Sequence, residues 1–154
     1  GFENDWARFH ELTGKRVGII GLGQIGSRVA KRLQGWECEL VYQDIQNFET
    51  DYETAANAKR VNLDELIETS DVITLHVPLD RSTEKMISDR EFAMMKPGAI
   101  LINASRGPVV DESALIRALD SGKIAGAGLD VFQQTGCGGD YFGSFAEHGW
   151  SGRW

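Results

Sequence analysis

Arg16-Val17-Gly18-Ile19-Ile20-Gly21-Leu22-Gly23-Gln24-Ile25-Gly26-Ser27 is the stretch whose reading decides the fold. Arg16 to Ile20 reads as a buried strand, and the residues after Ser27 continue as a helix to Leu33. Between them Gly21, Gly23 and Gly26 fall at G-x-G-x-x-G spacing, the arrangement that holds a dinucleotide when strand and helix flank it. Gly21 permits the tight turn, Gly23 lets backbone approach a pyrophosphate, and Gly26 lets the helix pack closely. The N–H groups of Gln24, Ile25 and Gly26 open the helix, where free donors and the helix dipole favour phosphate. Asp44 ends the next apolar run, near the roughly 20-residue spacing at which an acid meets the adenosine ribose. Its charge would repel a 2′-phosphate, so the expected cofactor is NAD rather than NADP. The plainer readings are a glycine-rich turn and a solvated acid. They leave the agreement of strand, turn, helix and acid unexplained.

The rest of the chain alternates strands and helices. Strands are expected over Lys15–Ile20, Glu37–Tyr42, Lys59–Val61, Asp71–Val77, Ala99–Asn103 and Ile124–Phe132. Helices are expected over Ile25–Gln34, Leu63–Thr69, the stretch between Ser88 and Pro97, and from Asp111 to Gly122. Asn62 with Glu65 and Ser88 with Glu91 have capping-box spacing. The acidic run at Glu49, Asp51 and Glu53 reads as a solvated loop. This alternation implies an α/β fold, a Rossmann-type doubly wound parallel sheet, with ligand at the carboxyl ends of the strands. Gly21 to Gly26, Asp44, His76 to Leu79, Asn103 to Pro108 and Asp130 all fall on that edge.

Residues 13–132 form the expected domain. Residues 1–12 read as a helical connection, with Phe2, Trp6 and Phe9 on one face. Residues 133–154 read as an irregular tail rich in glycine and aromatic residues and without periodicity.

The 154 residues allow one domain with a real core. A formal net charge of −7 argues against a nucleic-acid partner. No apolar run is long enough for a membrane span, and no signal peptide is visible. Cys38 and Cys137 have neither disulfide-framework nor metal spacing, a usage that fits a reducing cytoplasm. No metal site is expected.

On Glu11-Leu12-Thr13-Gly14-Lys15, Gly21 to Gly26, His76-Val77-Pro78-Leu79, Met95 to Ala99, Leu101 to Gly107 and Ala125 to Phe132, the chain resembles the NAD-binding domain of the D-isomer-specific 2-hydroxyacid dehydrogenases. Phosphoglycerate dehydrogenases and hydroxypyruvate reductases are of this type. The resemblance implies hydride transfer between NAD and a 2-hydroxy or 2-keto acid. It places Arg106, in Asn103-Ala104-Ser105-Arg106-Gly107, on the substrate carboxylate and carbonyl, a role suited to a planar, permanently charged fork. The bland alternative is a surface arginine in an ion pair. The resemblance also puts His76, Val77 and Pro78 under the cofactor ribose and adenine. Thr83 and Asp130 go toward the nicotinamide end, and Ala104, Ser105 and Arg106 are also expected to touch the cofactor. His76 reads as a satisfied strand-end histidine rather than an acid/base.

Two family features are missing. The glutamate expected shortly after Phe132 is replaced by Thr135, followed by Gly136, and no Thr-Pro-His context follows. His148 stands too early and in other surroundings. The expectation is a fragment whose chain alone binds cofactor but is catalytically incomplete. The alternative is a non-catalytic, NAD-sensing, corepressor-like module. A homodimer is implied by the resemblance alone.

Overall fold

The computed structural model describes residues 11–46 and 51–133, with backbone only at 51–53. The strands are β1 (Arg16–Ile20), β2 (Glu39–Gln43), β3 (Lys59–Arg60), β4 (Val72–Leu75), β5 (Ala99–Asn103) and β6 (Ile124–Leu129). The helices are α1 (Gln24–Leu33), α2 (Asp51–Ala56), α3 (Leu63–Thr69), α4 (Asp89–Met94) and α5 (Glu112–Asp120). All strand pairs are parallel, in the order β3-β2-β1-β4-β5-β6. The order reverses between β1 and β4, which opens a crevice at the carboxyl ends of the strands.

β1, β2 and β4 are apolar on both sides because both faces of the sheet are covered there, whereas burial alternates along β5, where Ile100 and Ile102 are exposed. Ile20, Ile73, Leu75 and Leu101 pack with Leu66 of α3, Phe92 of α4 and Leu115 of α5 in one cluster. Val17, Ile19, Leu40 and Tyr42 pack with Ala30 of α1 and Ala56 of α2 in a second. Cys38 lies at the border of this second cluster, partly buried.

Helix ends follow local chemistry. Asn62 accepts the Glu65 N–H at 2.8 Å. Asp111 accepts those of Ser113 and Ala114 at 3.1 and 3.2 Å. Glu91 reaches back to the Ser88 N–H at 3.1 Å. Each satisfies donors that a helix leaves open at its start.

The expected elements are present, with shifted ends. β1 begins at Arg16 rather than Lys15, and α1 begins one residue early, at Gln24. β2 starts at Glu39 instead of Glu37, because a 3-10 turn at Gln34–Trp36 ends on Glu37 in a left-handed conformation, φ 54°. β4 stops at Leu75, since His76 onward turns toward the glycine loop. β6 stops at Leu129, where the chain bends over Gly107. β3 is only two residues long. Backbone over part of the acidic run, read as a loop, is helical as α2. Of the expected connection helix, residues 1–10 lie outside the described residues, and Glu11 and Leu12 are not helical. The tail beyond Gln133, with Thr135, Cys137 and His148, also lies outside them.

Candidate functional site

The glycine turn joins β1 to α1 at the reversal point of the sheet. Gly21 has φ +88°, and a Cβ there would stand 2.5 Å from the His76 carbonyl oxygen and 2.9 Å from Val77 Cγ1. Only glycine lets the two loops lie together. A Cβ on Gly26 would run into the Gly21 carbonyl, so this residue sets how closely α1 follows the turn. Gly23, the residue before α1, differs: a Cβ there would meet nothing within 4 Å. No side chain caps the start of α1, and its first turn carries no acid, whereas α3, α4 and α5 all have such groups. The open space over Gly23 and the uncapped N–H groups form a cradle for an anion. The residues present therefore fit a dinucleotide pyrophosphate.

Asp44 follows β2 on the same edge. Its Oδ2 accepts the Leu22 N–H at 2.9 Å and its Oδ1 the Gln46 N–H at 2.8 Å. The carboxylate thus ties the glycine turn to the end of β2 and is fixed before any ligand arrives. Beside it lies an open crevice of about 570 Å³, lined by Gln43, Asp44, Arg60, Val61, Asn62 and Glu65, among others. The sequence reading missed Arg60, Asn62 and Glu65 here. The only available signal was that β3 and β2 are neighbours and end on one edge. Exposed apolar side chains ring the same edge: Ile25 on α1, Ile45 after Asp44 and Leu79 after β4.

After β4, His76 is half-buried, with Nε2 3.0 Å from Thr74 Oγ1. Burial holds its pKa below the usual histidine value. This agrees with a neutral wall residue. Pro78 and Leu79 are exposed at the rim. The Thr83 hydroxyl donates to the Pro78 carbonyl at 2.7 Å and accepts the Asp80 N–H at 2.8 Å, closing the loop on itself.

Asn103, at the end of β5, organises the remaining part. Its Oδ1 accepts the N–H and hydroxyl of Ser105, at 3.1 and 2.9 Å. Its Nδ2 donates to the Arg106 carbonyl at 3.0 Å, and its own carbonyl accepts the Asp130 N–H at 3.0 Å. One buried amide therefore sets the loop that carries Ala104, Ser105 and Arg106 and ties it to Asp130. The spacing gave Asn103 a place on the edge but not this role. Arg106 is exposed, with Nη1 donating to the Ser105 carbonyl at 2.7 Å; a guanidinium has five donors. A Cβ on Gly107 would collide with the Phe132 carbonyl, so the arginine loop is pressed against the chain leaving β6. Glu112 completes that contact by accepting the Gln133 N–H.

The structure thus brings Gly21, Gly23, Gln24, Ile25, Gly26, Asp44, His76, Val77, Pro78, Thr83, Ala104, Ser105, Arg106 and Asp130 to the carboxyl edge of one sheet. Among the described residues no cluster of three or more His, Cys, Asp or Glu side chains is placed for a metal ion. None of their helices is long and apolar enough to cross a membrane.

Residues 2–140 match the profile described as "D-isomer specific 2-hydroxyacid dehydrogenase, NAD binding domain". The chain belongs to this family. It is 48% identical over 123 residues to a glyoxylate reductase of Thermococcus litoralis, covering 80% of this chain and 37% of that protein. A D-specific alpha-keto acid dehydrogenase of Enterococcus faecalis is 46% identical over 133 residues, covering 86% and 39%. The D-lactate dehydrogenase of Lactobacillus jensenii, solved with NAD+, superposes with a TM-score of 0.81 at 38% identity, covering 87% of this chain and 40% of that one. The Aquifex aeolicus D-lactate dehydrogenase, solved with NAD and lactic acid, gives a TM-score of 0.79 at 41% identity, covering 86% and 40%. The chain spans about two fifths of the length of these relatives. Their names are those of reductases and dehydrogenases. They favour the cofactor domain of an oxidoreductase over a non-catalytic sensing module.

Proposed function

We propose that this chain is the cofactor-holding part of an enzyme that interconverts a 2-hydroxy acid and a 2-keto acid with NAD. The observation that carries the reading is the shared edge: an uncapped helix start with open space over Gly23, a pre-fixed Asp44 carboxylate, and Arg106 on a loop set by Asn103. Bound NAD supplies or accepts the hydride. The N–H groups of Gln24, Ile25 and Gly26 hold the pyrophosphate. Asp44 accepts the adenosine ribose hydroxyls. His76, Val77 and Pro78 wall the adenosine half, and Thr83, Ala104, Ser105 and Asp130 border the nicotinamide half. Arg106 leaves the Ser105 carbonyl to grip the substrate carboxylate with its planar fork. The relatives' names point to small glyoxylate-like 2-keto acids and lactate-like 2-hydroxy acids as the class. The family resemblance implies a homodimer, and the cysteine usage fits a reducing cytoplasm.

Thr135 stands where the family carries its glutamate, and no Thr-Pro-His follows. The isolated chain therefore lacks general acid/base catalysis, a loss of about 10²–10⁴-fold. Calorimetric titration with NADH tests the cofactor part and ketoacid-dependent NADH oxidation the catalytic part. Binding with little turnover is expected. Absence of NADH binding by the folded chain would overturn the assignment.

A further inference from the structure

We propose that Arg60 is a second determinant of which dinucleotide this edge accepts: a guanidinium stationed beside Asp44 that would hold a 2′-phosphate once the carboxylate is removed. The proposal rests on the reading of Asp44 as the ribose-facing acid. Arg60 is the last residue of β3 and pairs in register with Tyr42, two residues before Asp44. Its Nη2 donates to the Asp44 carbonyl at 2.9 Å. The side chain therefore extends along the carboxyl edge past the end of β2. It lines the same crevice as Asp44 and Glu65.

The charges in that crevice decide its selectivity. Among the described residues that line it, Asp44 and Glu65 are two carboxylates against one guanidinium, so a phosphate monoester entering beside Asp44 meets net repulsion. Removal of the Asp44 charge leaves one carboxylate and one guanidinium. The guanidinium's flat array of donors matches phosphate oxygens and remains charged at every working pH. The Asp44 carbonyl that Arg60 holds belongs to the backbone, so its anchor survives a side-chain change at position 44. A merely structural Arg60, propping the Asp44 loop, would matter equally to both dinucleotides. A specificity role weighs more heavily on the phosphorylated one.

Titration of the chain and its variants with NADH and NADPH, each checked by thermal melting, distinguishes these roles. The parent should prefer NADH. Asp44→Ser should gain NADPH affinity, and Arg60→Gln in the Asp44→Ser background should lower it again by about 10- to 100-fold, the range of a charge-assisted hydrogen bond. In the Asp44→Ser background Arg60→Gln should cost NADPH affinity by a clearly larger factor than it costs NADH affinity. A NADPH gain that survives Arg60→Gln, no gain in a folded Asp44→Ser chain, or equal loss of both dinucleotides on Arg60→Gln overturns the proposal. Should Asp44→Ser not fold, Asp44→Asn, which keeps an acceptor for the Leu22 N–H, takes its place in the same titrations with the same deciding outcomes. Failure of the parent chain to bind NADH overturns the dinucleotide reading itself, a different result from NADH binding that is intact with no effect of Arg60.

Discussion

Alanine at Gly21 and alanine at Gly23 should damage the protein in different ways, although only one residue separates them. At Gly21 the backbone has φ +88°, and the new Cβ would lie 2.5 Å from the His76 oxygen, 2.8 Å from its carbonyl carbon and 2.9 Å from Val77 Cγ1. The left-handed conformation costs an alanine about 1–2 kcal/mol. Forcing a methyl group against backbone that cannot swing away adds about 1–3 kcal/mol. The sum is roughly 2–5 kcal/mol, a large part of the about 5–15 kcal/mol typical of a whole domain. For a chain of this size it lowers Tm by roughly 5–15 °C. At Gly23 the Cβ meets nothing within 4 Å, so no clash of the new side chain adds to the change and the fold should lose less than at Gly21. The methyl group instead stands in the space over the α1 N-terminus, and NADH affinity should fall by about tenfold or more. Circular-dichroism melting and NADH titration on both variants provide the test. A Gly21→Ala chain that melts like the parent, or a Gly23→Ala chain that binds NADH like the parent, would refute the reasoning.

Three further outcomes concern Asp71, His76 and Glu112, which are partly or fully buried. Burial alone would raise the pKa of Asp71, but the Arg16 N–H at 2.8 Å and the Lys96 ammonium outweigh it and hold the carboxyl below its ordinary value. Its stabilisation is present above the unfolded pKa and is lost as pH falls through the folded one. Asp71→Asn should therefore cost on the order of 1 kcal/mol at neutral pH and flatten the stability–pH curve below about pH 4, followed by urea unfolding; an unchanged acid limb would count against it. His76 should titrate below the usual histidine value, because burial disfavours its cation. Stability then declines as pH falls below the unfolded value of about 6.5; an imidazole that titrates by NMR at or above that value would contradict the wall role. Burial raises the pKa of Glu112, against the Gln133 N–H, which lowers it. Glu112→Gln keeps an acceptor without a buried charge and should leave neutral-pH stability unchanged or slightly higher, while Glu112→Ala should cost about 1 kcal/mol. The reverse order in thermal melts would show that the charge itself is needed.

Much of this was readable from local pattern. The buried strand, the glycine turn and Asp44 were legible because each residue type is demanded by backbone geometry or by the ligand chemistry of one turn. The starts of α3, α4 and α5 were legible because Asn62, Ser88 with Glu91, and Asp111 cap locally. Strand ends were less so. Glu37 takes a left-handed conformation that nothing in its type announces, and β6 bends where Phe132 meets Gly107, a contact between residues far apart in sequence. Helix α2 was hidden because acidic residues read equally well as a solvated loop. In the site, the sequence placed Asn103 and Arg106 in one motif but could not show that the Asn103 amide fixes the arginine loop. Arg60 was invisible for the same reason: its place beside Asp44 exists only once β3 has paired with β2.

The central claim is that one sheet edge, from the glycine turn to Asp130, is the dinucleotide site. An amide ¹H–¹⁵N NMR titration with NADH tests it most directly. The account predicts saturable shifts at Leu22 to Gly26, Asp44, His76 to Leu79, Asn103 to Arg106 and Asp130, with the surface of α4 and α5 unmoved. Shifts concentrated on those helices, or none in a well-dispersed spectrum at millimolar NADH, would contradict it.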